Sequence, residues 1–197
     1  MISAILPVLA LALTAPVCAS PAWREAVVAL DAADEALIAL MREAHASAEP
    51  EAGEAASERL GALRAFNNTF LLDTVTIECV RTMIHDDREA YVAYSGIVRH
   101  SFPESQSGPE LIERVIQWNE TLFAEGLIHA VTYGGLIDRH EYGLNSRQLY
   151  GSHMGCVDGE IGFDPPIHEP EALEARREAI NWPAAMTDAR LGEPCGG

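Results

Sequence analysis

The chain reads as mostly α: a helical domain with one small C-terminal β-hairpin. Three observations predict this. Apolar residues recur at helical spacing along most of the sequence up to Tyr142. Proline and glycine punctuate the ends of these runs. A single short-hairpin signal, Asp158-Gly159, stands late in the chain between strand-like segments.

The elements follow in order. Residues 4–14 are apolar but too short to span a bilayer, and Val17-Cys18-Ala19 follows. Residues 1–19 are therefore expected to be an export signal cleaved after Ala19. Acylation of Cys18, as in a lipoprotein, is the alternative. Residues 20–56 are expected to form an N-terminal helix and a linker. Trp23, Val27, Leu30, Leu37, Leu40 and Met41 make the helix stripe, and Pro50 and Gly53 mark the linker. Residues 57–197 are expected to be a helical core with the hairpin, forming one domain with the first helix.

Within that core, Leu60, Leu63, Phe70, Ile77 and Ile84 fall on one seam, interrupted by Asn67 and Thr74. Residues 86–99 form a third helix, with Asp86 and Glu89 placed as a capping box and Pro103 preventing continuation beyond His100. Residues 110–125 form a fourth, stopped by Gly126. Residues 130–142 form a fifth. Residues 146–156 and 160–163 flank the Asp158-Gly159 turn. Pro170 opens a last helix through Arg176 and Arg177.

Charge and cysteine content narrow the function. The formal net charge is −17, which repels phosphate backbones and anionic lipid surfaces, so nucleic acid is not an expected partner. All 13 basic residues are arginine; a lysine nucleophile or Schiff base is excluded. An exported compartment favours disulfides. Cys156–Cys195 is the expected pair, pinning the tail, while Cys79 in an apolar helical stretch reads as a buried small hydrophobe.

Polar residues that could form a site are dense between Asp138 and Arg177. The candidate catalytic pair is His100 with Asp138, and the candidate ligand-binding residues are Arg139, Gln148, Tyr150, Gly151 and His153. As a general base, His100 needs an orienting carboxylate, and Asp138 is the choice. Asp138 and Arg139 are helical neighbours, so they point about 100° apart; a structural ion-pair node is the competing role. Tyr150-Gly151 within a strand suggests a close backbone approach or a bulge. His140, His153 and His168 with Asp138 show no spacing diagnostic of zinc, and no cofactor motif is present.

These motifs occur in one order: Val98-Arg99-His100, Ile137-Asp138-Arg139, Gln148 to His153, Pro166-Ile167 and Arg176-Arg177. The order resembles an uncharacterised bacterial domain family of unknown function, over roughly residues 91–183. Members carry a helix ending in His, an Asp-Arg pair, Gln-x-Tyr-Gly-Thr-Gln, a proline-rich strand exit and an Arg-Arg helix. This chain departs with Ser152-His153 in place of Thr-Gln. The resemblance implies a fold and a site location rather than an activity.

The expectation is a periplasmic or secreted protein without a membrane span in the mature chain. It binds a small polar ligand or an envelope partner through a cleft between the fifth helix and the hairpin. A hydrolase-like enzyme with a His/Asp acid-base pair is one alternative; a structural or inhibitory envelope protein is another. A flat apolar patch near Trp118 and Phe123 would favour a protein partner.

Overall fold

The structure, a computed structural model, describes residues 18, 20–47, 50–101, 109–184 and 188–195. Apart from Cys18, the expected export signal lies outside the described residues. Helices α1 (Pro21–Ala46), α2 (Pro50–Thr74), α3 (Ile77–Asp86), α4 (Arg88–Ser101), α5 (Pro109–Ala124) and α6 (Ala130–Asn145) are followed by β1 (Met154–Val157) and β2 (Glu160–Phe163). A 3-10 turn at Pro170–Ala172 leads into α7 (Leu173–Ala179). The mostly helical class with one small antiparallel hairpin is thus observed. No helix among the described residues is long and apolar enough to cross a membrane.

The chain forms two compact units. The first holds α1 to α4 and the first turn of α5; the second holds the rest. In the first, Trp23, Val27, Leu30, Phe70, Leu71, Val80 and Ile97 are buried. Trp23 stacks on Phe70 with ring centroids 6.2 Å apart. Its indole N–H donates to Thr74 Oγ1 at 3.0 Å, and that hydroxyl donates to the Phe70 carbonyl at 2.7 Å. Thr74, a polar interruption of the seam, is therefore the partner that lets the tryptophan be buried.

Two local expectations change. The long seam is not one helix: it ends at Thr74, and Thr76 caps a new one, accepting from the Cys79 amide at 3.3 Å. The cap of α4 is Asp87, not Asp86: Asp87 accepts from the Ala90 amide at 3.2 Å while its own N–H closes α3 on Met83. One residue thus serves both helix ends, and its side chain also pairs with Arg24 of α1. The arginine beside it holds the Asp87 carboxyl below its ordinary value.

Cys79 is a third correction. It is buried but not free; it is bridged to Cys18, with 5.5 Å between the Cα atoms. The packing explains it. Trp23 near the start of α1 meets Thr74 at the end of α2, and Cys18, just before α1, thereby reaches Cys79 in the first turn of α3.

In the second unit, α5 ends as expected at Gly126, whose φ is +73°. The Leu127 amide donates to Leu122 O and the Gly126 amide to Phe123 O, the paired bonds of a Schellman motif. Ala130, Ile180 and Trp182 form a buried cluster with Phe123, Tyr133 and Tyr150 against it. Trp118 is half-buried and Phe123 stacks on Tyr133 at 4.6 Å, so these two residues do not make a flat exposed patch.

The hairpin pairs Met154 with Phe163 through Val157 with Glu160. Asp158 and Gly159 both adopt positive φ, +54° and +90°, as a two-residue hairpin turn requires. Its first strand is shorter than expected, because residues 148–153 are a loop. The tail adds to the free edge of β2: Ile161 N–H donates to Glu193 O and Cys195 N–H to Gly159 O. The expected Cys156–Cys195 bridge holds it there, Cα to Cα 5.6 Å. Replacing both cysteines with serine is expected to lower stability by about 2–4 kcal/mol, read from urea midpoints of the second unit's transition.

Candidate functional site

The candidate residues divide between the two units. Asp138 lies on α6 and is wholly buried. Its Oδ1 accepts from the Leu149 and Tyr150 amides at 2.6 and 2.8 Å, and its Oδ2 from the Ser152 amide at 2.8 Å. Loop 148–153 is wrapped round this one carboxylate. Gln148, also wholly buried, closes the loop. Its side-chain N–H groups donate to the carbonyls of His153 and Pro165, and its Oε1 accepts from the His153 amide at 2.9 Å. Its own backbone bonds Pro166 O and the His168 amide.

The two arginines of α7 complete the loop's bonding. Arg176 Nε donates to Leu149 O at 2.9 Å. Arg177 Nε donates to Tyr150 O at 2.7 Å, and its other nitrogens hold both oxygens of Asp188 at 2.5 and 3.0 Å. The guanidinium also lies 5.6 Å from the ring centres of Phe163 and Trp182. Gly151 fits here for two reasons. Its φ is +75°, and a Cβ would meet Phe163 at 2.7 Å and Arg177 at 2.8 Å. The close approach expected at this glycine is therefore made by the protein's own side chains. Gly151 is not in a strand, which corrects the expectation.

Tyr150 stacks on Trp182 at 6.1 Å. Burial, with Tyr133 adjacent, raises its hydroxyl above the ordinary value. His153 is half-buried and shares a hydrogen bond with Ser152 Oγ at 2.8 Å. Burial and then the Arg139 charge lower its pKa, opposed by Asp138. Glu141 is bound by Arg147 at 2.6 Å. Among the described residues no group of three or more His, Cys, Asp or Glu side chains is disposed to hold a metal.

His100 does not pair with Asp138. Its Nδ1 lies 2.5 Å from Asp34 Oδ2, on α1 of its own unit. The reason is geometric: α1 and α4 run side by side in the same direction, as the pairs Arg24–Asp87 and Asp34–His100 show. Asp34 is wholly buried and also meets Arg64 of α2 at 3.3 Å. His100 Nε2 lies 3.8 Å from the exposed Glu35.

Asp31 lies one turn before Asp34 on α1, and Asn67 one turn after Arg64 on α2. Trp23 opposite Thr74 and Asp34 opposite Arg64 fix an antiparallel register of α1 on α2. That register puts Asn67 level with Asp31. A Cβ at Gly96 of α4 would overlap Asp31 Oδ1, so the glycine lets α4 close on this carboxylate. Burial raises the Asp31 pKa, Glu35 adds to the rise, and His100 opposes it. Asn67 is 1% exposed, and neither its Oδ1 nor its Nδ2 is hydrogen-bonded; Asp31 Oδ1 is likewise buried and unbonded.

Asp31, Asp34 and Asn67 were not among the candidates. A signal existed: Asp34 falls on the stripe of Leu30, Leu37 and Ile38, and Asn67 interrupts the seam between Leu63 and Phe70. Comparison with family models, with curated proteins and with solved structures finds no match for this chain.

Two predictions follow from the loop. Asp138→Asn turns an acceptor into a donor facing an amide N–H, and should cost about 1–3 kcal/mol in chemical denaturation. His153 has a folded pKa below its ordinary 6.5, so the unfolded chain takes up the proton first. Stability should fall as pH drops below about 6.5. His153→Asn should flatten that dependence, measured as urea midpoints between pH 7 and 5.

Proposed function

We propose that this chain is an extracytoplasmic protein that binds a small polar ligand in the polar seam of its first unit. The observation that carries the reading is Asn67: a carboxamide sealed from water, with neither atom bonded, one turn along α2 from Arg64, which meets Asp34. Buried polar groups are almost always paired, and an unpaired one costs about 1–3 kcal/mol. Ligand sites in helical bundles are built from side chains of facing helices in this way.

The unpaired atoms suggest the ligand's character. Asn67 Oδ1 and Asp31 Oδ1 accept, and only Asn67 Nδ2 donates. A molecule offering more donors than acceptors, such as a small amine, complements them. The extracytoplasmic location is supported by the two disulfides, which suit an oxidising compartment, and by the apolar N-terminus. The loop round Asp138 carries no ligand in this reading, because its polar groups are taken up by the chain's own backbone.

A second reading rests on the close contact of His100 Nδ1 with Asp34. A carboxylate so placed orients an imidazole for acid-base work at Nε2. It keeps the hydrolase alternative, with Asp34 in the place expected for Asp138.

Asn67→Leu tests the binding reading. Replacing an unpaired amide by an apolar side chain of the same branched shape should raise the melting midpoint, because functional polar groups are held at the expense of stability. In a thermal-shift panel of small amines, amino acids and sugars, the wild type should gain stability from an amine. Saturation at a hundredfold excess over Kd corresponds to about 2.7 kcal/mol. The variant should gain none. A variant that melts lower, with no amine shifting the wild type, would sink the reading.

A further inference from the structure

We infer that Cys18 belongs to the folded protein as the permanent partner of Cys79, and is neither the end of a cleaved leader nor a lipid attachment point. This rests on the extracytoplasmic reading above only for where the chain is oxidised. Two independent observations carry it.

The first is the bridge. Cys18 and Cys79 lie 5.5 Å apart at Cα, within the span a disulfide needs. With it and Cys156–Cys195, no cysteine is left free among the described residues. Cleavage after Ala19 would remove Cys18 and leave Cys79 as an odd buried thiol in an oxidising compartment, an outcome that exported chains avoid. Acylation of Cys18 would consume the same sulfur.

The second is the helix start. Ser20 Oγ accepts from the Trp23 amide at 3.2 Å, and Ser20 O accepts from the Arg24 amide at 3.2 Å. Ser20 is thus the N-cap of α1. A chain beginning at Ser20 would place an ammonium group on the positive end of the α1 dipole. The same end of α1 is anchored by Trp23 on Thr74 and Arg24 on Asp87. Cys18, two residues before this cap, is held to α3 by its bridge to Cys79.

The inference predicts that processing, where it occurs, falls before Cys18. Two measurements test it. First, the full chain is refolded in a glutathione redox buffer, alkylated and mapped without reduction. A Cys18–Cys79 cross-linked peptide is expected; alkylated Cys79, or Cys79 joined to another cysteine, overturns the inference. Cys79→Ser should expose Cys18 as one new alkylatable thiol, a gain readable even in a weakly folded variant; no gain would also overturn it. Second, the chain with its own N-terminus is expressed in a bacterium and the periplasmic fraction is weighed intact. A mass retaining Cys18 and two fewer pairs of thiol hydrogens supports the inference. A mass beginning at Ser20, or an acylated Cys18, overturns it. Recovery only in the cytoplasm would defeat the extracytoplasmic reading, while the refolding map would still decide the bridge.

Discussion

A carboxylate taken wholly out of water must be given hydrogen bonds or opposite charges. Each unit of this chain contains one, Asp34 in the first and Asp138 in the second, and neither is exposed at all. Their partners differ in kind. Asp138 is met by three backbone amides, so the chain itself must bend round it. Asp34 is met by the side chains of Arg64 and His100, so three helices converge on it. Much of the architecture follows from this difference: an irregular loop braced by α7 in one unit, and a regular bundle with a polar seam in the other.

The two solutions leave different remainders. Around Asp138 the bonding is closed. Gln148 uses both ends of its amide, Arg176 and Arg177 take the loop carbonyls, and Asp188 neutralises Arg177. Such a fully connected polar network rigidifies and specifies a conformation. Around Asp34 the bonding is open, since Asn67 and one oxygen of Asp31 have no hydrogen-bond partner. A site for something else is better sought where the chain has not satisfied itself.

The helices were legible because their apolar stripes are long and regular, and their stops carry chemistry that acts locally, as at Gly126. The break at residues 75–76 was not. Val75 and Thr76 fall between Thr74 and Ile77 without disturbing the seam's spacing, and a threonine cap looks like any other threonine. The polar density between Asp138 and Arg177 was visible, but its meaning was not, because backbone amides leave no mark in a sequence. Asp138 reads the same whether it faces a substrate or three N–H groups. His100 was read as a base that would need Asp138, and the carboxylate it meets lies 66 residues earlier. Asp34 was detectable as a charge on an apolar stripe; which histidine it would meet depended on helix packing.

The tail beside β2 has a consequence for the surface of the second unit. A two-stranded hairpin has two open backbone edges, and one of these is occupied by residues 193–195 through the bonds at Ile161 and Gly159. The Cys156–Cys195 bridge keeps that covering in place. Opening it would present the unpaired N–H and C=O groups of β2 to any extended chain nearby, flanked by the exposed Val157. Such an edge is a template for strand addition. Breaking the disulfide would therefore be expected to free this edge for strand addition before the rest of the unit unfolds.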